Sequence, residues 1–488
     1  MDKEHHGIAV PLSSLRTKKS SGIGEFPDLF PMIDWCIKNN FDVIQLLPIN
    51  DTGSDPSPYN ALSGSALHPI YIGLQNLNTN GDRTLEKFLR ELEKLNGQKR
   101  VAYHKVLEIK LLFLERYYEL EGNAAPLEEF AKKHDYLLPY ILFKILKESM
   151  QGENWQDWPD EVKNCSKHHY KELIDEHEEQ VRYQFFLQYL CYTQLCQVKE
   201  YATSKNFLLK GDIPILISPD SADVWHHKEF FDLTYAAGAP PDKFTPDGQY
   251  WGFPLYKWNA MEKENYSWWK ERLHYAETFY HLYRIDHVIG FFRIWAIKRN
   301  TPANKGFFIP IETWQALAQG RKLLSMIKKA TKMQPIGEDL GILFEGMPEI
   351  MEELEVASTK VMRWEKIPPN EYAKLSMTSL STHDSETLAQ WWKNEPEEVK
   401  EFCKLARITY EAKLTNELRK KVLIAAHGSN SLFHINLLGE YLALDERLVW
   451  ENLDDERINR PGKVLPENWT YRMRPYIEEL PSALPFQT

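Results

Sequence analysis

The chain has 488 residues, a formal net charge of −11 and 43% hydrophobic residues, which is typical of a globular protein with a sizeable core. The acidic balance excludes nucleic acids and anionic membranes as expected partners, because a negative field attracts neither. Aromatic residues make up 13% of the chain, which excludes disorder and serves either core packing or a cleft lined with flat rings.

The N-terminal segment Met1–Leu12 lacks the basic start and the apolar run of a signal peptide. The longest apolar stretch, residues 136–146, is interrupted by Pro139 and Lys144, so we expect no segment that spans a bilayer. Five scattered cysteines form no CxxC pair and no metal-ligand spacing, which predicts reduced thiols. We therefore expect a cytoplasmic protein.

The first predicted strand covers residues 41–49, a near-continuous apolar run that ends in a dense cluster of turn residues. From about residue 84 to 205 the apolar positions instead follow the helical period, as Leu85, Phe88 and Leu92 illustrate. We predict one catalytic domain over residues 1–488, with a mainly helical insertion over residues 84–205 between two of its strands.

Short apolar runs return after the insertion, and several of them stop at or carry an acidic residue. They are residues 207–218 with Asp212, residues 281–286 ending on Asp286, residues 333–338 ending on Glu338, and residues 375–384 ending on Asp384. Helical segments such as residues 311–332 lie between them, which is the βα repeat of a parallel sheet.

Acidic residues at the ends of several strands favour a barrel, because a (β/α)8 barrel gathers its site on one face. A doubly wound sheet would instead gather its site at one switch point, usually with a phosphate loop, and the chain has no GxxxxGK motif. The predicted fold is therefore α/β, a (β/α)8 TIM barrel with large, mainly helical insertions.

Three carboxylates on one barrel face cannot all ionise cheaply, so the pKa of at least one should be raised. Cleavage of a glycosidic bond requires two carboxyl groups, one that is a protonated acid and one that is an ionised carboxylate. Arg284 lies two residues before Asp286, so on a strand both side chains face the same way and the guanidinium would hold the carboxylate ionised. Each acid alone is better explained as a buried ion pair or a helix cap; the joint pattern favours a catalytic site.

A metal site is the competing use of acids at strand ends, as in enolase-type barrels that hold Mg²⁺. His287 and His383 are candidate ligands or bases, but the chain has neither an HExxH motif nor clustered histidine spacing. We expect no metal and no cofactor at this site.

Several short motifs occur in one order along the chain. They are Ser57-Pro-Tyr-Asn60, Gly211-Asp-Ile-Pro-Ile215 with Asp220–Trp225, Gly238–Phe244, Gly248–Pro254, Arg284-Ile-Asp-His287, Gly337-Glu-Asp-Leu-Gly341 and Thr382-His-Asp384. Together they closely resemble the 4-α-glucanotransferases called amylomaltase or disproportionating enzyme, relatives of the α-amylases. Further matches from Pro11–Leu15 to Trp469 and Arg472 extend the resemblance over essentially the whole chain.

The resemblance implies an α-glucan substrate and a retaining double displacement without a cofactor. On this pattern Asp286 matches the nucleophile, and Glu338 matches the general acid and base. Asp384 matches a third carboxylate that bonds the hydroxyls of the reacting sugar.

The resemblance also implies substrate-binding roles for six further residues. These are the sugar-binding His383, the nucleophile-positioning Arg284, the acidic Asp212 of the first amylase-type motif, the platform Tyr59, and Gln249 and Trp251 in the loop that covers the cleft. Neutral sugars are bound by hydrogen bonds and flat apolar faces rather than by net charge, and a covering loop keeps water from the intermediate.

The sequence departs from the family pattern at four places. The family's continuation after the nucleophile is replaced by His287-Val-Ile289, and that after the third acid by Ser385-Glu-Thr387. Asn60 stands where a glutamine is usual, and residues 436–439 match loosely. None of these departures removes a catalytic group, so they bear on acceptor preference and rate.

We therefore expect a 4-α-glucanotransferase that moves a segment of an α-1,4-glucan to a new 4-position on glucose or on another glucan. Its expected partners are maltooligosaccharides and fragments of starch or glycogen, without nucleic acid or membrane, and the oligomeric state is left open. The alternatives are an α-glucan hydrolase with the same carboxylates, a metal-dependent barrel enzyme, and a catalytically silent glycan-binding barrel. The last is disfavoured, since a binding module has no need of three mutually repelling acids.

Overall fold

Eight parallel strands form the central sheet of the computed structural model, which describes residues 3–122, 126–165, 167–241, 245–341 and 343–485. In chain order, β1 to β8 are His5–Val10, Val43–Leu46, Leu208–Pro214, Leu282–Asp286, Gln334–Gly337, Ser358–Val361, Ser376–Ser379 and Phe433–Leu437. The strands pair in the order β5-β4-β3-β2-β1-β8-β7-β6. A parallel bridge from Ile336 of β5 to Ala357 beside β6 closes the ring. The predicted (β/α)8 barrel is confirmed, as are the predicted strands.

The barrel interior is a packed core with a polar upper layer. Every second side chain of a strand points into the barrel. Val43, Leu282 and Phe433 belong to one buried apolar cluster there. The Lys210 ammonium of β3 contacts Met377 of β7, a strand that is not its neighbour, so this contact crosses the interior. The same alternation along β4 carries the side chain of Arg284 and then that of Asp286 towards the carboxyl end of the barrel.

Helices between successive strands cover the outside of the barrel. They are Leu29–Lys38, Glu178–Ser204, Ser267–Phe279, Thr313–Ala330, Met347–Glu353, Leu388–Asn394, Pro396–Leu405 and Asn416–His427, with shorter helices Ala222–His226, Trp258–Lys263, Ile289–Phe292 and Leu438–Leu442. The helix predicted over residues 311–332 is found at Thr313–Ala330. Within the described ranges, no helix has the length and hydrophobicity needed to cross a membrane.

The long connection from β2 to β3 is helical. Its helices are Arg83–Asn96, Tyr103–Glu121, Leu127–Lys133, Leu138–Ser149, Asp160–Lys163 and Lys167–Glu176, followed by Glu178–Ser204. The carboxylate of Asp82 caps the first of them by accepting from the N–H groups of Thr84 and Leu85. The last helix packs against Leu29–Lys38 and Ser267–Phe279, so it also serves as the outer helix between β2 and β3.

A small antiparallel sheet is built from the connections on either side of β4. Its strands are Tyr235–Ala239, Gln249–Tyr250, Ile294–Lys298 and Phe307–Ile309, and a separate pair joins Phe231–Asp232 to Leu255–Tyr256. These strands of two to five residues are too short for a hydrophobic period to reveal in the sequence. The sheet carries the segment that contains Gln249 and Trp251.

Candidate active site

The carboxyl ends of the barrel strands bring the predicted site residues together. Asp286 is the last residue of β4, Glu338 directly follows β5, and His383 and Asp384 lie in the loop after β7. Tyr59 reaches the same end from the loop after β2, and Asp212 reaches it from within β3. Residues 242–244 of the Gly238–Phe244 motif lie outside the described residues.

The buried guanidinium of Arg284 connects three of the acids. Its Nη1 donates to both carboxylate oxygens of Asp212 at 2.9 Å, and its Nη2 lies 2.7 Å from Asp286 Oδ1 and 3.9 Å from Glu338 Oε2. Because one nitrogen reaches both, these two carboxylate oxygens are separated by no more than the sum of those two distances. That limit includes the ~5–5.5 Å spacing of retaining glycosidases and only touches the lower end of the ~6.5–9.5 Å range of inverting ones.

Glu338 is the carboxyl group whose pKa the site raises towards neutral pH. Burial, together with the negative charge of Asp286, raises the pKa of this carboxyl to about 7, although Arg284 and two backbone N–H groups oppose the rise. Those N–H groups belong to His287 and Leu340 and donate at 2.8 and 3.0 Å. A large fraction of Glu338 is therefore protonated at neutral pH, as a general acid requires.

His287 links the acids to the predicted covering loop. It adopts a left-handed conformation, φ 53°, which turns the chain sharply after β4 while its N–H donates to Glu338. The Trp251 ring meets the His287 ring edge to face, with centroids 4.9 Å apart, and the Trp251 Nε1–H donates to the side-chain oxygen of Gln249 at 3.0 Å. These contacts place both loop residues beside the carboxylates.

Tyr59 and His383 form a second wall of the site. The Tyr59 hydroxyl donates to Asp212 at 2.9 Å, and its ring stacks on His383 at 5.3 Å with an interplanar angle of 19°. Trp469 packs against both rings, with centroids 5.6 and 5.7 Å away. The cluster offers aromatic surface and hydrogen-bonding groups together, the combination that sugars require.

Asp384 has the opposite electrostatic environment from Glu338. Burial opposes its ionisation, but His383 and the Asn459 amide hold the pKa of this carboxyl at about 2. The His383 Nε2 lies 3.4 Å away and the Asn459 amide donates at 2.7 Å. With 44% of its side chain exposed, Asp384 presents an ionised carboxylate to the cleft at neutral pH.

Two contributors to this site were not identified from the sequence. Asn459 lies 75 residues beyond Asp384, and Arg457 donates to the Asp384 carbonyl oxygen at 3.2 Å. Neither belongs to a motif that a local pattern could reveal. His287 was considered only as a metal ligand or base, whereas burial lowers the pKa of its ring to about 4 and its backbone N–H supports Glu338.

A protonated acid beside a carboxylate that a guanidinium holds can cleave a glycosidic bond. The acid protonates the leaving oxygen while the carboxylate attacks or stabilises the anomeric carbon.

Comparison with known proteins gives consistent results. The family model described as 4-alpha-glucanotransferase matches residues 10–478. The 4-alpha-glucanotransferase of Chlamydia pneumoniae is 44% identical, with 97% of this chain and 92% of the relative covered; that of Chlamydia caviae is 42% identical with the same coverage. The solved amylomaltase from Streptococcus agalactiae in complex with acarbose superposes with a TM-score of 0.82 at 25% identity, covering 97% of this chain and 95% of that one.

Proposed function

This chain belongs to the 4-alpha-glucanotransferase family, and from that membership we propose how its own residues carry the reaction. Its activity is that of a 4-alpha-glucanotransferase, or amylomaltase, acting on α-1,4-glucans. The observation that carries the proposed mechanism is Arg284, which contacts Asp286 and reaches towards Glu338. That contact orients the Asp286 carboxylate beside Glu338, whose pKa burial raises to about 7.

In the first half of the proposed reaction, a carboxylate oxygen of Asp286 attacks the anomeric carbon of the donor glucan. The bond from that carbon to the glycosidic oxygen breaks, and Glu338 gives its proton to the departing oxygen. The shortened glucan leaves with that proton, and the transferred segment remains bound to Asp286 as a glycosyl ester.

In the second half, the 4-hydroxyl of an acceptor glucan attacks the same carbon. Glu338, now ionised, takes the hydroxyl proton while the ester bond to Asp286 breaks. Two inversions give net retention, and both carboxyl groups return to their starting protonation. Transfer rather than hydrolysis requires that water be kept out, and we assign that role to the segment with Gln249 and Trp251, which contacts His287.

The remaining predicted residues hold the sugar. Tyr59 supplies the platform, since its ring is held by contacts with His383 and Trp469. Asp384, ionised and partly exposed, accepts from ring hydroxyls of the reacting sugar, and His383 binds beside it. Asp212 neutralises Arg284 and orients the Tyr59 hydroxyl.

We also propose one catalytic domain over residues 1–488 that includes the helical insertion of residues 84–205. This division is supported by direct contacts: Tyr140 and Lys144 of the insertion both donate to Asp51, in the loop that carries Tyr59, at 2.5 Å. Buried thiols at Cys36, Cys191 and Cys403 suit a reducing compartment, so we propose a cytoplasmic enzyme. Maltooligosaccharides and fragments of starch or glycogen are its proposed substrates.

The test is to incubate the enzyme with maltotriose and to resolve the products with time. Glucose together with oligomers longer than maltotriose is the expected result, whereas only shortened products would indicate a hydrolase. No reaction on any α-glucan would refute the enzyme, and loss of activity in EDTA would favour a metal-dependent reaction.

Asp286→Asn tests the nucleophile. We expect it to lose nearly all turnover while still binding glucan, because an amide cannot form the ester. Asp157→Asn is the matched control, since it changes the same group on the exposed surface. Unchanged turnover in Asp286→Asn would overturn the assignment.

A further inference from the structure

Three imidazoles converge at the end of the barrel opposite to the carboxylates. His6 lies near the start of β1, His434 near the start of β8, and His427 at the end of the helix Asn416–His427. One ring nitrogen from each lies within 4.8 Å of the others, and in the part of the chain that the structure describes this is the one group with a metal-binding arrangement. His6 and His427 are 421 residues apart, with Nδ1 atoms separated by 2.7 Å.

The three rings are buried or half-buried, and their nitrogens already compete for few hydrogen-bond partners. A neutral imidazole donates from only one of its two nitrogens. In His434 both nitrogens face carbonyl oxygens, that of His427 at 2.8 Å and that of Ser431 at 2.6 Å. In a neutral ring one of these nitrogens directs a lone pair at an oxygen, and this unfavourable contact is relieved if the ring turns that nitrogen towards those of His6 and His427, where a cation would bind.

A histidine that binds a metal usually donates from its other ring nitrogen to a nearby oxygen, and such an oxygen lies beside His427. His427 Nε2 lies 2.7 Å from the Tyr441 hydroxyl, which in turn lies 3.4 Å from the Gly7 carbonyl oxygen. If the ring donates from Nε2 and the hydroxyl donates onward to Gly7, the lone pair of His427 Nδ1 faces His6. Hydrogen bonds of this kind fix the tautomer and orientation of a metal ligand.

We propose that His6, His427 and His434 bind one divalent cation of the zinc type. Imidazole nitrogens suit Zn²⁺. Zn–N bonds of ~2.0–2.1 Å in a tetrahedral site require the nitrogens of His6 and His427 to separate by roughly half an ångström and the nitrogen of His434, within 4.8 Å of them, to move closer. His6 is partly exposed and leaves a path for entry. A water molecule would complete the four-coordinate site.

The role of this cation is structural. It would join β1, β8 and the helix before β8 at the seam where the first and last strands of the barrel meet. The site lies at the amino end of the strands, where barrel residues contribute stability rather than catalysis. Transfer between glucans should therefore not depend on it.

The test uses the full chain, treated with EDTA and dialysed, then titrated with Zn²⁺. We expect one tightly bound zinc per chain by calorimetry and elemental analysis, a rise of several degrees in Tm, and unchanged transfer on maltotriose. Bound Co²⁺ should give the visible absorption of a tetrahedral nitrogen-rich site. Absence of zinc binding by the wild-type chain would overturn the proposal, whatever the variants do.

His6→Gln is the first variant because this ring is the most exposed of the three, and His434→Gln is the second. Each should lose the bound zinc and the rise in Tm while keeping its transferase activity. The control is the double change His226→Gln and His227→Gln, which removes another pair of adjacent imidazoles, 4.6 Å apart. If the control abolishes binding and His6→Gln does not, the zinc binds elsewhere and the proposed site is wrong.

Discussion

Replacing Glu338 by glutamine should stabilise the enzyme more at high pH than at low pH. Burial raises the pKa of this carboxyl from its ordinary 4.5 to about 7, so the folded state binds a proton that the unfolded state releases at lower pH. The contribution of Glu338 to the stability of the wild-type chain is therefore greatest below pH 4.5. It falls as the pH rises towards and through 7. Because glutamine cannot ionise, the variant does not lose stability in this way as the pH rises.

The size of this pH-dependent change in stability follows from the raised pKa and from the burial of the side chain, of which only 12% is exposed. At ~1.36 kcal/mol per tenfold change in proton affinity, the wild-type chain loses about 2–3 kcal/mol between pH 5 and pH 8. An unfolding entropy of ~2.1 cal/mol/K per residue makes that loss roughly 2–3 °C in Tm for a chain of this length. Glutamine also gives up one of the bonds from His287 and Leu340, but that cost of ~1–3 kcal/mol does not depend on pH.

The assay is thermal unfolding of both proteins at pH 5 and pH 8, read as the change in their Tm difference. Glu353→Gln, an exposed acid that pairs with Arg321, is the control and should show no comparable change. A Tm difference for Glu338→Gln that is the same at both pH values would refute the raised pKa. The same pKa predicts that kcat/KM of the wild-type enzyme declines near pH 7 on the alkaline side.

Three further predictions concern the groups around the acids. Lys144→Met leaves Asp51 buried without its cation, so the free energy of unfolding should fall by ~3–5 kcal/mol in denaturant titrations, with partial recovery in Lys144→Arg; full stability in the methionine variant would contradict the pairing. Trp251→Ala should raise the ratio of hydrolysis to transfer, measured by product chromatography on maltotriose, and an unchanged ratio would remove the loop from water exclusion. Asn459→Ala removes a hydrogen bond that lowers the pKa of Asp384, so the acid limb of the kcat/KM pH profile should move to higher pH. An acid limb at the same pH would show that Asn459 does not act on this carboxylate.

Local patterns were enough to predict the barrel and the acids on its strands. The near-continuous apolar run over residues 41–49 contains β2, as expected of a strand buried on both faces. The shorter run over residues 281–286, which ends on an acid, contains β4. The spacing of Arg284 and Asp286 predicted side chains on one face, and the two are in contact at 2.7 Å. Family motifs then attached a chemistry to these positions.

What the sequence by itself determined is everything that depends on neighbours along the chain: the period of burial, the acids at strand ends and the helical character of the β2–β3 connection. Only the tertiary structure decided which distant residues meet, such as Asn459 at Asp384 or His427 at His6, because closure of the barrel sets those distances. It also decided the pKa of Glu338 and that of Asp384, since desolvation and nearby charges come from several elements at once. Two similar carboxyl groups in the sequence thus acquire pKa values shifted in opposite directions by their surroundings in the folded chain.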